Sequence, residues 1–126
     1  MTREAMKART KAYANRVVTL CAALPVNWIA QTLGKQLLRS GTSVGANYRA
    51  VCRAKSNSDF INKLRIVEEE CDESLFWMEL LVENNFVKPA RLRELMKEAD
   101  ELIAIVVSSA KTARTTRDTS IAYRKS

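Results

Sequence analysis

The 126-residue chain contains no histidine. That excludes His-bearing catalytic triads, His-containing zinc sites and the Glu-x-x-His di-iron bundle together. It has only 3 Gly and 2 Pro, which favours long helices over a turn-rich β protein. Its 3 cysteines, Cys21, Cys52 and Cys71, are odd in number and lack Cys-x-x-Cys spacing. They read as small buried apolar residues, reduced in a cytosolic setting. Long apolar runs are missing as well. The strongest, Leu102 to Val107, is far short of the roughly 20 residues that span a bilayer. The opening residues Met1, Thr2, Arg3 and Glu4 hold no apolar signal-peptide core. The expectation is a cytoplasmic protein with no membrane partner.

What is present points to one all-α domain. Apolar residues make up 47% of the chain, enough for a core. Met6, Tyr13, Val17, Leu20 and Leu24 recur at helical steps and predict a first helix, which Pro25 ends. A second is predicted from about Asn27 to Lys55, with Ala30, Leu33, Leu37, Gly41, Val44, Tyr48, Val51 and Cys52 facing in. Ser58 is the expected N-cap of a third helix, whose inner stripe is Phe60, Leu64, Val67, Cys71, Ser74, Met78 and Leu81. Asn84 and Asn85 end it, and Pro89 suits the first turn of a fourth. There Leu92, Leu95, Ala99, Leu102, Ile103, Val106 and Ala110 form the stripe. Short connections make such helices antiparallel neighbours, so the predicted architecture is an up-down four-helix bundle. It spans residues 1–115, and residues 116–126 are expected to form a flexible basic tail. Gly41 and Gly45 fall mid-helix, where close approach of a neighbouring helix is the expected compensation and a kink the alternative.

Net charge is +7 and alternates along the chain. Residues 1–16 carry five basic and one acidic side chain, and residues 35–57 five basic and none acidic. Residues 58–83 carry two basic and eight acidic, and residues 111–126 five basic and one acidic. On a helical wheel Lys35, Arg39, Arg49 and Arg53 fall opposite the core face of the second helix. Glu69, Asp72, Glu79 and Glu83 fall on the outward stripe of the third, around Phe76 and close to Leu80. The run Leu75 to Val82 is apolar on nearly every side, as in a helix buried on more than its core face. An acidic stripe with Phe76 and Leu80 as anchors, facing the basic stripe of another copy, predicts a heterologous contact that closes into a ring-shaped homo-oligomer.

Two stretches carry a resemblance. One is Leu37-Leu38-Arg39-Ser40-Gly41-Thr42-Ser43-Val44-Gly45-Ala46-Asn47-Tyr48-Arg49-Ala50. The other holds Ala54, Ser56, Asp59-Phe60-Ile61, Lys63-Leu64, Glu70, Glu73, Ser74 and Trp77. Together they resemble the "four helix bundle protein" family, the ribosomal-RNA intervening-sequence proteins. Accessory variability determinant proteins of diversity-generating retroelements are related to it. The resemblance covers roughly residues 10 to 110. It implies a four-helix bundle, a five-membered ring and a bacterial cytosolic origin, with no assigned activity for most members. The retroelement relatives bind nucleic acid through basic surface. Carried onto this chain, the pattern points to Arg39, Ser40, Ser43, Asn47, Glu70 and Glu73, read as a structural polar network at helix contacts.

The functional expectation is a non-enzymatic oligomeric bundle that binds RNA or DNA, or serves as an adaptor, through Lys35, Arg39, Arg49, Arg53 and Lys55 with the two basic termini. A pure protein–protein scaffold is the alternative. A third reading is a Mg²⁺-dependent nucleotide pyrophosphatase, in which Glu69, Glu70 and Glu73 with Glu98 and Glu101 supply paired carboxylates. Against it, Glu101 points away from the core stripe and Glu98 only flanks it. No catalytic residue, metal ligand or cofactor is therefore expected.

Overall fold

Three polar side chains set where the helices begin. Thr2 accepts a hydrogen bond from the Ala5 N–H and opens α1, Arg3–Ala22. Asn27 accepts from Ile29 and Ala30 and opens α2, Trp28–Val51. Ser56 accepts from Asp59 and opens α3, Asn57–Glu83. Pro89 starts α4, Pro89–Lys125, at a position where its missing N–H costs nothing. This computed structural model describes the backbone of residues 1–125 and the side chains of residues 1–116. Among the described residues there are four helices and no strand. The flexibility expected of residues 116–126 lies outside the described side chains, although the α4 backbone continues past residue 115.

The boundaries differ from the periodicity in two places. The third helix is capped by Ser56 and not by Ser58, because the Asp59 carboxylate reaches back to the Lys55 N–H at 3.0 Å and closes a variant of the capping box. The same turn stops α2 at Val51, four residues before Lys55. At the other end of α3, Asn85 adopts φ 63°, with Phe86 N–H bonded to Leu81 O and Asn85 N–H to Val82 O. This is a Schellman ending, made with asparagine in place of glycine.

Antiparallel packing runs α1 on α2, α2 on α3 and α3 on α4, while α1 and α4 touch sparsely. The core holds Tyr13, Val17, Leu37, Val44, Leu64, Val67, Met78, Leu81, Leu92 and Leu102. Leu33, Cys52 and Phe60, expected inside, are only half-buried, and Gly34 takes the buried place beside Leu33. Gly41 and Gly45 mark close approach of α1. A Cβ on Gly41 would stand 2.8 Å from both Val17 methyls, and one on Gly45 would stand 3.2 Å from the Thr10 carbonyl oxygen.

Candidate functional site

The antiparallel order carries α1's start, α2's end, α3's start and α4's later turns to one end of the bundle. Three basic segments that are remote in sequence therefore meet there. The Arg3 guanidinium lies 5.6 Å from the Phe60 ring centroid. Arg3, Lys55, Ser56, Asn57 and Phe60 line a cleft of about 300 Å³, and Asn57 Nδ2 donates to the Ala113 carbonyl of α4 at 2.8 Å. Beside it runs an α1–α2 groove of about 420 Å³, rimmed by Lys7 and Lys11 on one wall and Arg49 on the other. Its floor is small and smooth: Ala8, Ala14, Gly45 and Ala46. On the α3–α4 side Arg65 and Arg114 line a third depression together with Glu68. Among the described residues Lys7 meets only the exposed Glu4, at 3.8 Å, and Arg3, Lys11, Arg49, Arg53, Lys55, Arg65 and Arg114 make no ion pair. Two carboxylates line these clefts, Glu4 in the groove and Glu68 in the third depression. Asp59, in the same turn as Lys55 and Ser56, is neutralised by Lys63 at 2.6 Å, and that hydrogen bond holds its carboxyl below the usual range.

The sequence-predicted residues divide between the two halves of the molecule. Arg49, Arg53 and Lys55 belong to the basic end. Lys35 lies in the other half of α2, where it rims an apolar groove with Val18, Cys21, Leu24 and Leu38. Burial pushes the Cys21 thiol there up to about 11, so it stays protonated. Arg39 is already occupied: it reaches across to α3, donating to Glu70 at 3.1 Å and to Glu73, which also accepts from Trp77. The hydrogen bond from Arg39 holds the Glu73 carboxyl below its usual range. Ser40, Ser43 and Asn47 do not join this cluster. They bond to Gln36, Arg39 and Ser43 carbonyls of their own helix.

Glu69, Asp72, Glu79 and Glu83 stand exposed on α3. Phe76 is 50% exposed among them, edge-on to Trp77 with centroids 5.1 Å apart. Leu80, expected outside, is half-buried. The carboxylates proposed as metal ligands have another use. Arg9 of α1 forks onto Glu98 at 2.7 and 2.8 Å and reaches Glu101 at 2.6 Å. Among the described residues no group of three or more Cys, Asp or Glu is placed to hold a metal ion. No described helix is long and apolar enough to cross a membrane.

Sequence reasoning names the basic blocks, the N-terminal one included, but not their convergence, which puts Arg3 in the cleft and Lys7 and Lys11 in the groove. The usable signal was the alternation of charge itself. In an up-down bundle, segments 1–16 and 44–57 must lie side by side, with residues 111–116 beyond them.

No curated protein matches the chain. A crystal structure of a protein of unknown function from the S23 ribosomal protein family, from Bacteroides thetaiotaomicron, superposes with a TM-score of 0.82 at 33% identity. That similarity covers 88% of this chain and 99% of the other. Residues 5–108 match the family described as 23S rRNA-intervening sequence protein. With the match spanning most of the bundle, the chain belongs to the 23S rRNA-intervening sequence protein family.

Proposed function

We propose that this protein is a non-enzymatic, self-assembling bundle of the bacterial cytosol that binds nucleic acid through its basic end. The observation that carries the reading is the convergence of Arg3, Lys7, Lys11, Arg49, Lys55 and Arg114 around shallow clefts, with Arg53 at the same end of α2. Among the described residues those charges make no internal ion pair except the loose one of Lys7 with exposed Glu4 at 3.8 Å, unlike Arg9 and Arg39. Unpaired cations on a smooth surface bind phosphates by releasing counterions, with little sequence preference. Self-assembly is supported by Phe76, a large apolar ring left in water between carboxylates on α3, and by Lys35 on the outer side of α2.

Fluorescence anisotropy with a labelled RNA, read from about 50 to 200 mM salt, tests the binding. Combined charge reversal at Lys7, Lys11 and Arg49 is expected to weaken binding at least tenfold while leaving the melting temperature in place. Equal affinity for that variant and the parent would sink the reading. Light scattering tests assembly: five copies of the 14.2 kDa chain give about 71 kDa. A mass of one chain at micromolar concentration would remove the assembly from the proposal.

An adaptor role has its own observation. At the end away from the basic clefts, Val26 and Trp28 are 98% and 76% exposed beside Ile29. Exposed apolar patches of this kind mark protein contacts. A pull-down repeated with nuclease separates the two readings, since a protein partner survives the treatment.

A further inference from the structure

We infer that the basic end takes the sugar–phosphate backbone of a double-stranded nucleic acid and not the bases of a single strand. The inference rests on the nucleic-acid reading above and adds the form of the ligand.

Proteins that hold single strands combine a basic track with open aromatic faces on which bases stack. The described side chains of this end provide the track without the faces. Phe60 is half-buried, and its ring already has the Arg3 guanidinium against it at 5.6 Å. Tyr13 and Tyr48 are inside the core. Among the described side chains, the aromatic rings that stand open, Trp28 and Phe76, belong to the opposite half of the bundle, at the start of α2 and in the last turns of α3. Base edges find no more purchase than base faces. The groove floor is alanine and glycine, and its one hydroxyl, on Thr42, donates to the Leu38 carbonyl of its own helix at 2.6 Å. What remains is charge on two opposed walls, Lys7 and Lys11 facing Arg49, three cations against the one acid of the lining, Glu4, which stands 3.8 Å from Lys7. A duplex carries one negative charge per about 1.7 Å of its axis and releases more counterions per phosphate neutralised than a single strand does. A site in which cations outnumber acids, with no open ring to stack on, therefore prefers the duplex.

The experiment uses the full chain and an RNA duplex of about 20 base pairs, compared by anisotropy with each of its component strands. The duplex is expected to bind at least fivefold tighter, and permuting its sequence is expected to change affinity less than twofold. Lys11→Gln should lower the slope of log K against log salt by about one. Phe60→Leu, checked for an unchanged melting temperature, should leave the affinity for duplex and strand within twofold. A single strand that binds as tightly as the duplex overturns the inference, and so does a tenfold loss of strand binding in Phe60→Leu. If neither form binds at about 50 mM salt, the nucleic-acid reading itself falls, and this inference with it.

Discussion

Arg9 and Glu98 form a forked ion pair across the thinnest seam of the bundle. Both guanidinium–carboxylate hydrogen bonds are below 2.9 Å, and the side chains are 26% and 16% exposed. α1 and α4 otherwise touch sparsely, so this pair and the Glu101 contact supply much of the polar tie between the first and last helices. Arg9→Lys keeps the charge but loses the planar fork. It is expected to cost about 1 kcal/mol in urea unfolding, and Arg9→Met about 1–2 kcal/mol, because the half-buried Glu98 is then left unpaired. Equal stability of the parent and both variants would show that the seam does not need the pair.

A second polar contact is directional. Ser74 Oγ donates to the Cys71 carbonyl at 2.6 Å, so the Tyr13 hydroxyl, 2.7 Å away, must donate to Ser74. Both side chains are buried. Tyr13→Phe leaves Ser74 bonded and is expected to cost about 0.5–1.5 kcal/mol. Ser74→Ala leaves the Tyr13 O–H in the core without a partner and is expected to cost more, about 1–3 kcal/mol. Thermal melts of the two single variants and the double variant check the asymmetry. A Ser74→Ala protein more stable than Tyr13→Phe would contradict the assignment of the donor.

The two contacts show what the sequence makes legible. Tyr13 and Ser74 were placed on inner stripes by apolar period alone, because a three- and four-residue repeat identifies a face without needing its partner. Arg9 was only one of five basic residues in a polar segment. Its partner lies 89 positions away, and nothing local ties a surface arginine to one carboxylate rather than another. Arg39 differs, because the family pattern already groups it with Glu70 and Glu73 at helix contacts. A wheel drawn for α2 alone sends it outward, but the neighbouring α3 brings Glu70 and Glu73 within its reach. The caps are partly legible: the sequence points to Ser58, and the Asp59 bond to Lys55 moves the cap two residues back to Ser56.

Gly41 tests whether close helix approach or flexibility selected a small residue. In a helix interior, Gly→Ala gains about 1 kcal/mol of propensity. At Gly41 the added methyl would stand 2.8 Å from both Val17 methyls, and overpacking of a core costs about 1–3 kcal/mol. The steric term is the larger, so Gly41→Ala is expected to lower stability by about 1 kcal/mol. In a Val17→Ala background the two 2.8 Å contacts are gone and only the residue 17 Cβ, at 3.2 Å, remains close, so the same substitution should become neutral or stabilising. A double-mutant cycle reads the coupling directly. Additive effects would favour a hinge over a packing role.

Acid and alkali act on different parts of the structure. Hydrogen bonds from Arg9, Arg39 and Lys63 hold the carboxyls of Glu98, Glu73 and Asp59 below their ordinary values of about 4.5, 4.5 and 3.8. Below those values the unfolded chain binds more protons than the folded one, so stability rises with pH across that window. The contribution is complete above about pH 5 and is lost as pH falls through the depressed folded values. Burial pushes the Cys71 thiol the other way, from 9.0 up to about 12. The folded chain keeps that proton where the unfolded chain releases it, so this contribution is present below pH 9 and is lost progressively as pH rises toward 12. Urea midpoints measured across the range should therefore form a plateau that falls at both ends. Arg9→Met should flatten the acid limb, because Glu98 then loses the hydrogen bond that does most to hold its proton off, while leaving the alkaline limb unchanged. Cys71→Ala should do the reverse. An acid limb of the same steepness in Arg9→Met and the parent would mean that Glu98 does not report on the α1–α4 seam.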